Sequence, residues 1–149
     1  MQILSQTAGY AILTLCYLHG REAQWVPAKL IADATGIPKP YLSRILHVLA
    51  QSGFIISKRG VGGGVALAFE ATEISVWDVA ELVDPTVNHP SCILGFTVCS
   101  DQQPCPAHQS WKTTQSRMRA QLRDMTIADV AAVEQAESGR IGKPNKPEA

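Results

Sequence analysis

The run RGVGGG at residues 59–64 constrains the fold more than any other part of the sequence. Glycine is costly inside helices and strands, so four glycines within residues 60–64 predict a tight turn. Runs of high β-propensity flank it at residues 54–58 and 65–69, and together these segments predict a β-hairpin. A phosphate-binding loop fits less well, because the glycines lead into a strand and not into a helix N-terminus. A flexible surface turn with incidental charges remains the alternative.

Three helices are predicted before the hairpin. Dense apolar residues from Tyr10 to Leu18 indicate a buried first helix that ends near Gly20. Pro27 begins a short second helix, and the connection GIPKP leads into a third. The third helix has one apolar stripe, formed by Leu42, Ile45, Leu46 and Leu49. Two helices joined by a short turn and followed by a hairpin, the wing, match the winged helix-turn-helix pattern.

Charge is unevenly distributed along a chain whose net charge is zero. Residues 1–68 carry six basic and two acidic side chains, so this half has a net charge of +4 and the remainder −4. The N-terminal half therefore has the charge sign that suits a phosphate backbone. The polar side of the predicted third helix and the hairpin tip supply candidate contacts, namely Lys39, Tyr41, Ser43, Arg44, His47, Lys58 and Arg59.

Helical patterns continue after the hairpin. Ser75 caps a predicted fourth helix that Pro85 ends, and a capping box at Thr126 and Asp129 begins a last helix. Between them a polar helix carries a narrow apolar seam, formed by Trp111, Met118, Leu122 and Met125. The seam favours pairing with another helix over packing onto its own domain. We predict a DNA-binding domain over 1–85, a cysteine-rich loop over 86–108, dimerisation and C-terminal helices over 109–137 and a disordered tail over 138–149.

Two classes of protein are not predicted. No apolar run approaches the roughly 20 residues that span a membrane, and the N-terminus shows no secretory signal, so a cytoplasmic location without membrane attachment is expected. The sequence also offers no plausible set of nucleophile, base and acid. An enzyme is therefore not expected.

Three cysteines occur in one short segment, Cys92, Cys99 and Cys105, and His108 follows the last. In a reducing compartment such a group indicates metal binding or redox sensing rather than structural disulfides. The gaps of six and five residues are wider than in typical structural zinc sites and favour an iron–sulfur cluster. His108 is the nearest candidate for a fourth ligand, or else simply begins a helix. Cys16 lies among apolar neighbours and is predicted to be a core residue.

These motifs together resemble the Rrf2 family of bacterial winged-helix regulators, which includes iron–sulfur, nitric-oxide and iron sensors. The resemblance runs from about residue 1 to 135. It depends on TAGYAI, on GIPKPYLSRILHVLAQSGFI, on SKRGVGGGVALA, on the three-cysteine loop and on MTIADV. It implies a mainly α fold with a small β-hairpin wing, a homodimer that pairs through the long helix, and a palindromic operator in double-stranded DNA.

The resemblance also implies roles for individual residues. Lys39, Tyr41, Ser43 and Arg44 would read the major groove, and Arg59 would enter the minor groove. From the sequence itself, Lys58 adds charge at the wing tip, and Gly62 and Gly63 let the backbone approach a groove closely. Cys92, Cys99, Cys105 and His108 would hold the cluster. Ser43 replaces an acidic residue of the cluster regulators, and Pro38 and Pro40 replace serines, so the operator sequence is left open.

Two further comparisons with the family bear on the type of cluster. The first cysteine gap is one residue longer than in the cluster regulators, and because related sensors vary there, this gap does not choose among them. Some nitric-oxide sensors take an acidic ligand from the first helix, but SQTAGYAI contains no acid. A 2Fe–2S cluster with His108 is therefore favoured, and 4Fe–4S is kept open. The expected function is a transcriptional repressor controlled by the cluster. The alternatives are a thiol-redox or zinc-responsive regulator on the same fold and, less favoured, an iron–sulfur electron carrier.

Overall fold

The computed structural model describes residues 4–21, 24–89 and 91–136. In this part of the chain there are six α-helices and one two-stranded antiparallel sheet. The elements in chain order are α1 Gln6–His19, α2 Ala28–Thr35, α3 Lys39–Gln51, β1 Ile55–Lys58, β2 Gly64–Leu67, α4 Val76–Val83, α5 His108–Asp124 and α6 Ile127–Ala136. Single-turn 3₁₀ helices lie at Ala71–Glu73 and Pro85–Asn88. The predicted tail, 138–149, lies outside the described residues.

The first three helices form as the sequence predicts. Ser5 caps α1 through its side chain, and Gly36 ends α2 in the left-handed conformation. The third helix begins at Lys39, because Pro38 stands at its N-cap and Pro40 in its first turn, where no backbone N–H is needed. Its apolar stripe faces the core through Leu42, Ile45 and Leu49.

The hairpin pairs β1 with β2 in a register that places Ile55 opposite Leu67 and Lys58 opposite Gly64. A third segment joins it, because Val26 and Val65 exchange two backbone hydrogen bonds of 2.9 Å each. Gly64 is required at this contact, since a Cβ there would lie 2.4 Å from the carbonyl carbon of Val26. The wing is therefore hydrogen-bonded to the segment that leads into α2.

The last helix returns to the core of the N-terminal elements. Ser75 and Thr126 form an isolated antiparallel bridge, in which Val76 N donates to Met125 O and Ile127 N donates to Ile74 O, each at 2.9 Å. Side chains from all these elements share one core, including Leu15, Ile31, Ile45, Leu49, Ile55, Ile74, Val79, Ile127 and Ala131. The cysteine loop and α5 thus form an excursion, residues 85–124, that leaves this core after α4 and returns to it at α6.

Cys16 lies in the same core, as predicted. Its side chain is 4% exposed, and its Sγ lies 3.8 Å from the carbonyl oxygen of Ile127. Burial, together with the charge of Glu134, raises the pKa of this thiol to about 12. Cys16 is therefore an unreactive packing residue and stands apart from the cysteine loop.

Candidate metal centre and DNA-binding face

The three loop cysteines converge. Their sulfur atoms all lie within 4.8 Å of one another, and the Sγ atoms of Cys92 and Cys105 are 3.6 Å apart. Cys105 is buried, and Cys92 and Cys99 are partly buried. A turn at Gly95 (φ +80°) folds the chain back within the first gap, and a turn between Ser100 and Gln103 does so within the second. A soft, three-thiolate donor set of this kind suits iron–sulfur, zinc or copper(I) chemistry.

The loop creates unequal thiols. Desolvation raises the pKa of Cys92, but backbone N–H groups of Phe96 and Leu94 donate to its sulfur and lower the pKa to about 7. Desolvation dominates at Cys105 and raises the pKa of that thiol, and the neighbouring cysteine sulfurs raise it further. Cys92 is therefore the thiol most readily ionised in this pair, and thiolate is the form that binds metal.

His108 is the first residue of α5, and its ring joins the cysteines to an acidic side chain. Its Nδ1 lies 3.2 Å from Cys99 Sγ, and its Nε2 lies 2.9 Å from Asp101 Oδ1. Lys112, one turn further along α5, donates to both oxygens of Asp101 at 3.0 and 2.9 Å. The hydrogen bond from His108 and then the contact with Lys112 lower the pKa of the Asp101 carboxyl.

The three cysteines thus form one group, His108 joins it through Cys99, and the binding of a cluster by these four residues stays a prediction. Sequence reasoning missed Asp101 and Lys112. Lys112 follows His108 by four residues, a spacing that places both on one face of a helix and could have been used. Asp101 has no such signal, because its approach to His108 depends on the turn formed by Ser100 and Gln103.

The second candidate site is the exposed face of α3. Lys39, Ser43 and Arg44 are all exposed there, and the opposite face is buried. Tyr41 is 50% exposed, and its ring packs edge-on against Tyr10 of α1 with 6.3 Å between the ring centroids. Tyr41 therefore also anchors α3 to α1, a role that the sequence did not indicate.

The wing tip presents the other predicted DNA contacts. Lys58, Arg59 and Gly62 are exposed, and the Lys58 ammonium lies 5.8 Å from the centre of the Trp25 ring. Gly63 has a structural reason to be glycine, because a Cβ would lie 2.2 Å from the carbonyl oxygen of Lys58. Trp25 was not singled out from the sequence. Its cation–π contact with Lys58 links the wing to the segment before α2, next to the bridge between Val26 and Val65.

A cavity of about 500 Å³ lies beside the cysteine loop, between α4 and α5. Among the described residues, the buried Trp77 Nε1 and Gln115 Nε2 line it without a hydrogen-bond partner. The Arg119 guanidinium stacks over the Trp77 ring at 5.0 Å. No residue of α5 is buried. This face is thus incompletely covered within one copy of the chain.

A helix-turn-helix, a hairpin wing and a long external helix define the class of winged-helix regulators. Within that class, the family profile described as "Rrf2: Iron-dependent Transcriptional regulator" matches residues 4–133. The chain belongs to the Rrf2 family, and it is a transcriptional regulator of that type. The resemblance and the fold class predicted from sequence are both confirmed.

Two relatives of this chain are named as transcriptional regulators. The chain is 32% identical over 135 residues to an HTH-type transcriptional regulator of Aquifex aeolicus, covering 89% of this chain and 94% of that protein. It is 31% identical over 129 residues to the regulator IscR of Vibrio atlanticus, covering 85% of this chain and 73% of that protein.

Two solved structures share the fold. The global cysteine regulator CymR of B. subtilis superposes with a TM-score of 0.72 at 22% identity, covering 89% of this chain and 98% of that one. The IscR of T. potens superposes with a TM-score of 0.70 at 24% identity, covering 92% of each chain. No described helix of the present chain is long and apolar enough to span a membrane.

Proposed function

We propose that this chain is a homodimeric transcriptional repressor whose binding to a palindromic operator is controlled by an iron–sulfur cluster. The convergence of the three cysteine sulfurs within 4.8 Å of one another, at the start of α5, carries the proposal. Such a cluster supplies a centre that reacts with oxygen, nitric oxide or changes in iron supply. The residues of the chain supply its ligands and the link to DNA.

The donor set fits a 2Fe–2S cluster. Cys92, Cys99 and Cys105 provide three thiolates, and His108 is the fourth candidate ligand because its Nδ1 already faces Cys99. Histidine replaces cysteine on iron in some known 2Fe–2S centres and raises their potential. A 4Fe–4S cluster is the other form that the three thiolates allow.

The head formed by α1 to β2 supports DNA binding. Lys39, Tyr41, Ser43 and Arg44 lie on the exposed face of α3 and at its N-terminal end, which is the end that enters the major groove in helix-turn-helix proteins. Arg59, Lys58, Gly62 and Gly63 lie on the wing, where an arginine can enter the adjacent minor groove. The relatives named above as transcriptional regulators support the same assignment.

A second copy of the chain fits the exposed face of α5. The seam residues Trp111 and Met118 are only half-buried and Met125 is 40% exposed, whereas the half-buried Leu122 packs against the core of its own chain. The neighbouring cavity leaves Trp77 Nε1 and Gln115 Nε2 without partners. A partner helix would cover the seam and fill this space. Pairing through α5 would also set the distance between two reading heads, as a palindromic operator requires.

Control by the cluster would act through the loop that leads into α5. His108 is the first residue of α5, and Cys92 lines the cavity between α4 and α5. Gain or loss of ligation at these two residues would therefore change the order of the loop beside the pairing helix. The two heads would then shift between arrangements that bind the operator and arrangements that do not.

The first test is to purify the protein without oxygen and measure iron, acid-labile sulfide and the visible spectrum. Two irons and two sulfides per chain support the 2Fe–2S form, and four of each support 4Fe–4S. Cys105→Ala should abolish uptake, whereas Cys16→Ala is the matched control and should load as the wild type does. Zinc without sulfide, or no uptake after reconstitution, would reject the cluster.

DNA binding is tested separately by fluorescence anisotropy on the upstream region of the chain's own gene. Arg59→Ala and Arg44→Ala should each weaken binding about 10–100-fold, as expected for losing a contact of about 1–3 kcal/mol. Arg123→Ala, at the far end of α5, is the control and should bind as the wild type. Binding that does not weaken with rising salt would argue against phosphate contacts by the basic side chains of the head.

One observation favours a second candidate, a thiol-redox or zinc-responsive regulator on the same fold. Cys92 and Cys105 have sulfurs 3.6 Å apart, close enough for a small shift to permit a disulfide. In that case acid-labile sulfide is absent, and operator binding responds to hydrogen peroxide or zinc in a Cys92-dependent manner.

A further inference from the structure

Asp101 and His108 form a contact that the cluster ligands alone do not explain. The His108 ring lies between two groups, with Nδ1 at 3.2 Å from Cys99 Sγ and Nε2 at 2.9 Å from Asp101 Oδ1. The His108 side chain is 20% exposed, whereas that of Asp101 is 63% exposed. The exposed carboxylate of Asp101 therefore faces Nε2 of the ring, and the partly buried sulfur of Cys99 faces Nδ1.

The carboxylate is itself held in place. Ser100 and Gln103 exchange two backbone hydrogen bonds of 3.2 Å, and this turn projects Asp101 toward α5. Lys112 donates to both carboxylate oxygens from the next turn of α5. An exposed ion pair of this kind contributes little to stability. Its geometry instead fixes where the carboxylate stands relative to the ring.

We propose that Asp101, held by Lys112, is a positioning residue that keeps His108 in the tautomer with its Nδ1 lone pair directed at the Cys99 sulfur. This inference rests on the proposed function, which makes His108 a ligand. A carboxylate only accepts hydrogen bonds, so it selects the tautomer that carries the proton on Nε2. Nδ1 then accepts from the Cys99 thiol in the metal-free protein and is free to bind iron in its place.

A carboxylate on the far nitrogen of a histidine ligand also orients the ring and raises its basicity. Loss of such a partner typically weakens metal binding about 10–100-fold. Asp101 and Lys112 would therefore determine how firmly the histidine side of the site holds iron, although neither of them touches the metal.

The variants are Asp101→Asn, Lys112→Met and Asp101→Glu, with Asp124→Asn at the other end of α5 as the matched control. An amide can donate or accept, so Asp101→Asn removes the tautomer preference while it keeps the shape. Nitrogen-15 NMR of the His108 ring in the metal-free protein should show the Nε2-protonated form in the wild type. It should show a mixture in Asp101→Asn, a smaller change in Lys112→Met and recovery in Asp101→Glu.

The reconstituted proteins give the second readout. Chelator competition should show iron held about 10–100-fold less tightly by Asp101→Asn than by Asp124→Asn, with a shifted visible spectrum. An unchanged tautomer and an unchanged affinity in Asp101→Asn would overturn the inference. If the wild type itself takes up no iron and sulfide, the proposed function fails, and the NMR result still decides whether Asp101 positions His108.

Discussion

Single glycines in this chain occupy opposite environments. Gly64 lies where the wing meets Val26, and a Cβ there would lie 2.4 Å from the Val26 backbone. Gly9 lies on the exposed side of α1, and a Cβ there would meet nothing within 4 Å. The sequence indicated a turn at residues 60–64, but the approach to Val26 joins residues far apart in the chain and left no local signal.

The two substitutions to alanine should therefore have opposite signs. Gly64→Ala is expected to destabilise the fold by about 1–3 kcal/mol through overpacking against backbone. Gly9→Ala should stabilise it by about 0.5–1 kcal/mol, because alanine favours the helix. Urea unfolding followed by circular dichroism, at one fixed protein concentration, measures both. Equal effects would show that the wing does not dock on Val26.

Cys16 should be the unreactive thiol of the chain. Burial raises its pKa to about 12, so almost none of it is thiolate near neutral pH and few alkylating reagents reach it. In the metal-free protein, iodoacetamide at about pH 8 should label Cys92 first and the buried Cys105, whose pKa is raised, more slowly. Cys16 should stay unmodified until urea unfolds the chain. Mass spectrometry of the digested protein gives the site occupancy. Labelling of Cys16 in the folded state would contradict its place in the core.

At the scale of elements, local patterns predicted the helices well and the strands less completely. Caps at Ser75 and at Thr126 with Asp129, the apolar stripe of α3 and the stops at Gly20, Gly36 and Pro85 are signals carried by adjacent residues. No signal in adjacent residues indicates the bridge between Val26 and Val65 or the bridge between Ser75 and Thr126. Each of these joins two segments by isolated hydrogen bonds, which no periodicity records.

The capping box of α6 offers a matched pair of substitutions. Thr126 Oγ1 accepts from Asp129 N at 3.2 Å, and Asp129 Oδ2 accepts from Thr126 N at 2.8 Å. Thr126→Ala should cost about 1 kcal/mol of the free energy of unfolding, since it removes the side-chain half of this box. Thr114→Ala, exposed in the middle of α5, should be neutral or slightly stabilising because alanine has the higher helix propensity. Chemical denaturation compares the two, and equal losses would rule out a capping role.

At the scale of the whole molecule, the winged helix and the cysteine loop were both predicted, but the place of α6 was not. Ile127 is fully buried and Ala131 is 2% exposed, and both pack in the core of the N-terminal elements. The predicted domain boundary at residue 85 thus leaves part of that core on its far side. Sequence reasoning grouped α6 with α5 because the two are adjacent in the chain and the bridge between Ser75 and Thr126 spans fifty-one residues.

A deletion tests this arrangement. Residue 84 follows the C-terminal end of α4, and Met125 is hydrogen-bonded to Val76 at its N-terminal end. A linker between them must span the length of α4, about 12 Å at 1.5 Å per residue, so six Gly/Ser residues can replace residues 85–124. We expect this variant to fold as a monomer with a lower Tm, because Trp77 loses its cover, and to take up no iron. A chain truncated after residue 85 should fail to fold, since it lacks Ile127 and Ala131. Thermal unfolding and size-exclusion chromatography distinguish the two variants. A stable truncated chain would support the predicted boundary at residue 85.

The double hydrogen bond between Val26 and Val65 has a consequence for how such a regulator can evolve. It joins the wing to the segment before α2, so under the proposed function the wing and α3 would present one constant surface to DNA. A signal that leaves this surface intact would change how often the protein binds DNA but not which base sequence it recognises. New target genes would then arise by mutation in the promoters or on the face of α3, and new signals by mutation in the cysteine loop, each without disturbing the other.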